Sequence, residues 1–187
     1  MAVNSKHVEE LIQDLSGDSR RIRQSAALEL CECCVENADV IVAHGDALLD
    51  ALELNEVRTR WAIIDVFTKI CASDIALCEK ALPGIENALF DETSGPLHLA
   101  SVGFLCAYGA LSHESSDKAW PMLDEAIQCF HGDQEFPDML NLLVEFSTKD
   151  LSAETKSAFS ERMSFDAQNN KGYIKRKAQL IVDNLSK

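Results

Sequence analysis

Long apolar runs are missing from this chain. No stretch approaches the roughly 18 to 20 residues a membrane-spanning helix requires, because charged or polar residues interrupt every one of them. The first thirteen residues carry Lys6, His7, Glu9 and Glu10 instead of the apolar block of a secretory signal, so the expected compartment is the cytoplasm. Signatures of chemistry are scarce too. There is no phosphate-cradling glycine loop, no nucleophile elbow and no carboxylate pair that stands out from the acidic background. The five histidines are scattered with no i, i+4 pair, so no catalytic, metal-binding or cofactor-binding residue is assigned and no enzyme is expected.

Positive charge is the scarcest commodity in the middle of the chain. Between Ala81 and Thr148 the one Lys or Arg is Lys118, against eleven acids: Glu86, Asp91, Glu92, Glu114, Asp117, Asp124, Glu125, Asp133, Glu135, Asp138 and Glu145. The formal net charge is −14. From Lys149 to Lys187 the balance reverses, with eight bases against five acids. Phosphate binding needs clustered Lys and Arg along one groove. Only Lys171, Lys175, Arg176 and Lys177 cluster, so nucleic acid ranks behind protein as a partner.

Seven cysteines are present: Cys31, Cys33, Cys34, Cys71, Cys78, Cys106 and Cys129. Their odd number and apolar helical settings argue for reduced, buried thiols over a disulfide framework. Cys31 and Cys34 share a helix face, and two thiolates suit a soft metal such as zinc. No second Cys-x-x-Cys or nearby His pair completes such a site, so these are read as packing residues.

What the chain has in abundance is repetition. Five times an apolar helical segment is followed by a polar turn and a second helical segment. The second segments open on Ile22-Arg23, Val57-Arg58, Leu97-His98, Phe136-Pro137 and Ile174-Lys175, which lie 35, 40, 39 and 38 residues apart. A period in this range marks stacked helical units that bury their apolar faces on one another. The expected units are residues 4–36, 37–73, 74–113, 115–149 and 150–187 of a single domain spanning 1–187. Val8, Leu11, Ile12 and Leu15 form the first apolar stripe, and Ile22, Ala26, Ala27, Leu30, Cys33 and Cys34 the second. Leu82-Pro83 and Trp120-Pro121 recur 38 residues apart inside first helices, and Gly45 lies 38 residues before Pro83. That phase marks a built-in kink or staggered start. Trp61 and Trp120 are expected as core anchors.

On these residues the chain resembles HEAT-repeat proteins of the armadillo-type superhelix class. The resemblance is strongest from Asp18 to Leu30, with its Asp, its aliphatic-Arg pair and its small residues, and Ile174-Lys175 with Ala178 echoes it. It implies an all-α, right-handed solenoid of about five antiparallel helix pairs (a HEAT-like α-α superhelix) that acts as a protein-binding scaffold. It also implies that Arg23, Arg58 and Lys175 bond to adjacent turns, with contact to an acidic partner as the alternative role. His98 replaces the basic residue in the third unit. Partner-contact candidates are Arg23, Arg58, His98, Lys175, Arg176, Asp138 and Glu145. The expected partner is a protein with a basic segment, and the alternative is self-association of the basic fifth unit with the acidic middle.

Overall fold

Apolar side chains recurring every three to four residues put one buried stripe on each helix, and the computed structural model, which describes residues 5–91 and 94–187, is built from such helices throughout. Glu92 of the acidic run, Thr93 within the third expected unit and Asn4 at the start of the first lie outside the described residues. Among the described residues there are eleven α-helices and no strand. They are α1 Ser5–Leu15, α2 Arg20–Cys33, α3 Ala38–Val42, α4 Gly45–Leu52, α5 Val57–Ile70, α6 Ile75–Leu89, α7 Gly95–Gly109, α8 His113–Cys129, α9 Phe136–Phe146, α10 Ala153–Asn169 and α11 Gly172–Leu185. The helices fall into two units, 1–104 and 105–187, with the division inside α7.

In the first unit α1 packs on α2, α2 on α5, and α4 on both α5 and α6. The expected stripe of α1 is buried in full. In α2, Ala26, Ala27, Leu30 and Cys33 are buried, but Ile22 is 40% exposed and so leaves the core. Small residues on α2 let α5 approach closely, and α5 fills the space with Ile63, Ile64, Val66, Phe67 and Ile70, all at 0% exposure. Phe67 meets Phe104 edge to face at 6.3 Å between centroids. Gly45 opens α4 where a Cβ would sit 2.6 Å from Leu77 Cδ1, so a bare backbone permits this approach of α4 to α6.

In the second unit α10 packs on α8 and α11, and α11 on α9. The core centres on Phe159, whose ring lies 4.8 Å from Trp120 and 6.0 Å from Phe146. Gly132 takes φ +105 in the turn between α8 and α9, a conformation side chains with a Cβ rarely adopt.

The recurring proline keeps one position in its helix. Pro83 and Pro121 are each the ninth residue of a continuous helix, α6 and α8. At the same phase the second helix pair has Gly45, and there the first helix is split into α3 and α4. Trp120 is buried, as expected, whereas Trp61 stays half-exposed on α5.

Candidate partner-binding surface

The fourth residue of each second helix carries the polar connections of the first unit. Arg23, fourth in α2, donates through Nη1 to the Gly17 carbonyl at 2.6 Å and through Nη2 to the Glu56 carboxylate. Glu56 precedes α5 and also accepts from Thr59 Oγ1 at 2.8 Å. Arg60, fourth in α5 and 8% exposed, donates to Asp91 Oδ2 at 2.9 Å. His98, fourth in α7, donates from Nε2 to the Asp91 carbonyl at 2.7 Å. Each rung ties one turn to the next, so Arg23 and His98 are already occupied within the fold.

Arg58, aligned with Arg23 by spacing from the aliphatic residue, is exposed, and Arg60 holds the equivalent place. The register differs because α2 begins two residues before Ile22, whereas α5 begins on Val57 itself. The spacing of 37 between two arginines was the signal available for Arg60.

In the second unit the rung position is Met139 in α9, 2% exposed, and Lys175 in α11, which donates weakly to the Gln168 carbonyl at 3.3 Å. Other bonds join its repeats at nearly the same period. Asp117 accepts from Ser152 Oγ and from Thr155 Oγ1 at 2.9 Å. Arg162 Nη2 donates to Asp124 at 2.9 Å, His131 Nε2 lies 3.2 Å from Asp166, and Tyr173 OH donates to Asn141 at 2.7 Å. None of these partners had been singled out from sequence, since each joins positions that are polar but patternless along the chain.

These bonds set the acid–base behaviour. The Arg23 hydrogen bond outweighs partial burial and holds Glu56 below the usual carboxylate range, and the hydroxyls of Ser152 and Thr155 do the same for Asp117. In the unfolded chain both carboxyls take up protons at higher pH, so the stability they supply is complete above about pH 5 and is lost as pH falls through their folded values. Burial pushes Cys34 up to about 11 and Cys78 up to about 12, and raises Cys106 as well. Unfolded thiols ionise near 9, so stability present below that pH falls as pH rises beyond it. Urea midpoints are expected to be flat from about pH 5.5 to 8 and to fall on both sides. A midpoint rising between pH 8 and 10 contradicts the assignment.

What remains outward is largely negative. Asp138 and Glu145 are both exposed on one face of α9, two turns apart, with half-buried Leu142 between them. Glu86, Glu125 and Asp133 are exposed too, and among the described residues no Lys or Arg side chain pairs with any of these five carboxylates. Asp91, Asp124 and Glu114, by contrast, are taken up by Arg60, Arg162 and Lys118. Lys175 and Arg176 are exposed on α11, in the same unit as Asp138 and Glu145. A cavity of about 340 Å³ lies beside Phe165, which is 71% exposed, with His131 and Arg162 on its wall. Among the described residues no group of three His, Cys, Asp or Glu is placed to hold a metal ion, and no helix is long and apolar enough to cross a membrane.

No protein-family model and no curated protein matches the sequence. Solved structures do match. A designed armadillo repeat protein in complex with the peptide (KR)4 superposes with a TM-score of 0.70 at 11% identity, over 98% of this chain and 87% of that one. A computationally designed armadillo repeat protein for modular peptide recognition gives 0.69 at 12% identity, over 96% and 82%. An engineered protein gives 0.62 at 14% identity, over 98% and 97%. With eleven helices, bonds that recur at the repeat period and these superpositions over nearly the whole chain, the protein has the all-α, armadillo-type helical-repeat solenoid fold.

Proposed function

We propose that this chain is a non-enzymatic protein-interaction scaffold whose acidic surface docks a basic peptide or helix of a partner. The observation that carries the reading is the set of exposed carboxylates Glu125, Asp133, Asp138 and Glu145 of the second unit, unpaired with Lys or Arg among the described residues, on a helical-repeat fold. The structural neighbour that holds (KR)4 lends support, being the same fold with an alternating basic peptide bound. Exposed acids steer such a partner and set its salt dependence more than they supply affinity. Seven unbridged cysteines suit a reducing compartment, and the cytoplasm is the proposed one.

Fluorescence anisotropy with labelled (KR)4 tests this directly. Binding is expected at about 50 mM salt and is expected to weaken at least about tenfold at 500 mM. D138N/E145Q is expected to weaken it further, whereas E9Q/E10Q, which removes two exposed acids from α1, changes little. Equal binding of an acidic peptide, or equal loss in the two variants, rejects the reading. Self-association is the second reading, favoured by the exposed bases Lys149, Lys171, Lys175, Arg176 and Lys187. It requires a dimer by light scattering at low salt that dissociates at high salt.

A further inference from the structure

Six of the seven thiols accept no hydrogen bond from a Lys or Arg among the described residues. Five of them, Cys33, Cys34, Cys71, Cys78 and Cys106, are buried, and Cys129 is exposed. Cys31 differs. It is half-buried near the end of α2, and Lys69 of α5 reaches across the helix pair to donate to its carbonyl at 2.7 Å and to lie 3.2 Å from its Sγ. The Lys69 side chain is itself exposed, so solvent and small solutes reach the pair.

We propose that Cys31 and Lys69 form a reactive-thiol site, at which peroxide-class oxidants and other small electrophiles modify Cys31. The Lys69 ammonium, 3.2 Å from the sulfur, sets a positive charge and a proton donor beside the attacking atom. Partial burial acts to lower the Lys69 ammonium, yet the hydrogen bond and charge of Cys31 outweigh it and raise it overall. Lys69 therefore stays protonated and charged at neutral pH. Other groups near the pair are Asp65 and Cys34. Asp65 is raised by burial, and Cys34, whose sulfur donates to the Cys31 carbonyl at 3.3 Å, is pushed up to about 11 and remains a thiol.

The reaction balances without any further co-reactant. The Cys31 thiolate attacks one oxygen of hydrogen peroxide, the S–O bond forms and the O–O bond breaks. The departing hydroxide takes a proton from the Lys69 ammonium and leaves as water. Cys31 becomes a sulfenic acid, oxidised by two electrons, and the peroxide is reduced by the same two. Lys69 is left as an amine and regains its proton from solvent.

Limiting iodoacetamide at pH 7 on the folded chain, read by peptide mass mapping, tests the site with Cys129 as the internal reference. Cys31 is expected to be alkylated about tenfold faster than Cys129, and K69Q is expected to bring it down to the Cys129 rate. A second arm uses hydrogen peroxide with dimedone, and the adduct is expected on Cys31. Cys31 reacting no faster than Cys129, a rate unchanged in K69Q, or no dimedone adduct on Cys31 overturns the proposal. The comparison of the two cysteines in the unaltered chain needs no variant to fold.

Discussion

Phe159→Ala is expected to cost about 3–5 kcal/mol, the largest loss from any single truncation in residues 105–187. Phe159 is fully buried in α10 and stacks between two other rings, Trp120 at 4.8 Å and Phe146 at 6.0 Å. Truncation removes the transfer free energy of the ring, leaves a cavity and strips both neighbours of their aromatic contact. Collapse cannot fill the space, because Trp120 is a large, nearly buried ring and Met163, at 0% exposure one turn on, is already enclosed. Phe165→Ala is the matched control. That side chain is 71% exposed, so its removal is expected to change stability by less than about 0.5 kcal/mol. Urea denaturation followed by circular dichroism measures both, and a Phe159→Ala loss under about 1 kcal/mol would sink the account of this core.

Asp91→Ala is expected to cost about 2–3 kcal/mol. Arg60 is 8% exposed and Asp91 supplies the carboxylate that meets its Nη1 at 2.9 Å, while Arg60 Nε is buried with no partner of its own. Removing the acid strands a guanidinium that has already lost most of its water. The Asp91 carbonyl that His98 bonds to remains, so the helix start at α7 is not the thing being tested. R60M/D91L is expected to recover most of the loss, because neither charge is then buried. A double variant as unstable as Asp91→Ala would show that the helix ends, not the charge pair, set the cost.

Helix existence was legible because burial demands periodicity. Val8, Leu11, Ile12 and Leu15 could satisfy one spacing only, and that spacing is a helix. Helix starts were less legible. Ser19 and Glu56 stand before α2 and α5, and neither makes a side-chain cap bond that would mark the start. Glu56 turns its carboxylate to Arg23 and Thr59 instead, an arrangement that depends on a residue 33 positions away. Counting from the aliphatic residue rather than from the helix start put Arg58 where Arg60 belongs. Where a cap is local, the start is readable: Asp74 accepts from the Leu77 amide and Ser152 from the Thr155 amide.

The surface candidates were readable in charge but not in place. That Asp138 and Glu145 point outward follows from their spacing between Met139, Leu140 and Leu143, all buried. That Arg23 bonds to adjacent turns was implied by the resemblance alone, and its partners Gly17 and Glu56, like the Asp91 carbonyl that holds His98, do not follow from spacing. Lys69 and Cys31, 38 residues apart on two helices, were not legible as a pair either. Only the packing of α2 on α5 brings them into one another's reach.

The division between residues 104 and 105 falls in the middle of an uninterrupted helix. A protease needs a stretch of extended, unbonded backbone, and every amide on either side of this division is held in α7. Leu97, Val102, Phe104, Leu105 and Tyr108 around it are buried almost completely. Severing the chain there would cut one helix into two stumps and expose the apolar surface of both. Proteolytic cutting within α7 is therefore expected only after this helix has unfolded, which sparing of residues 97–108 in limited digestion would show.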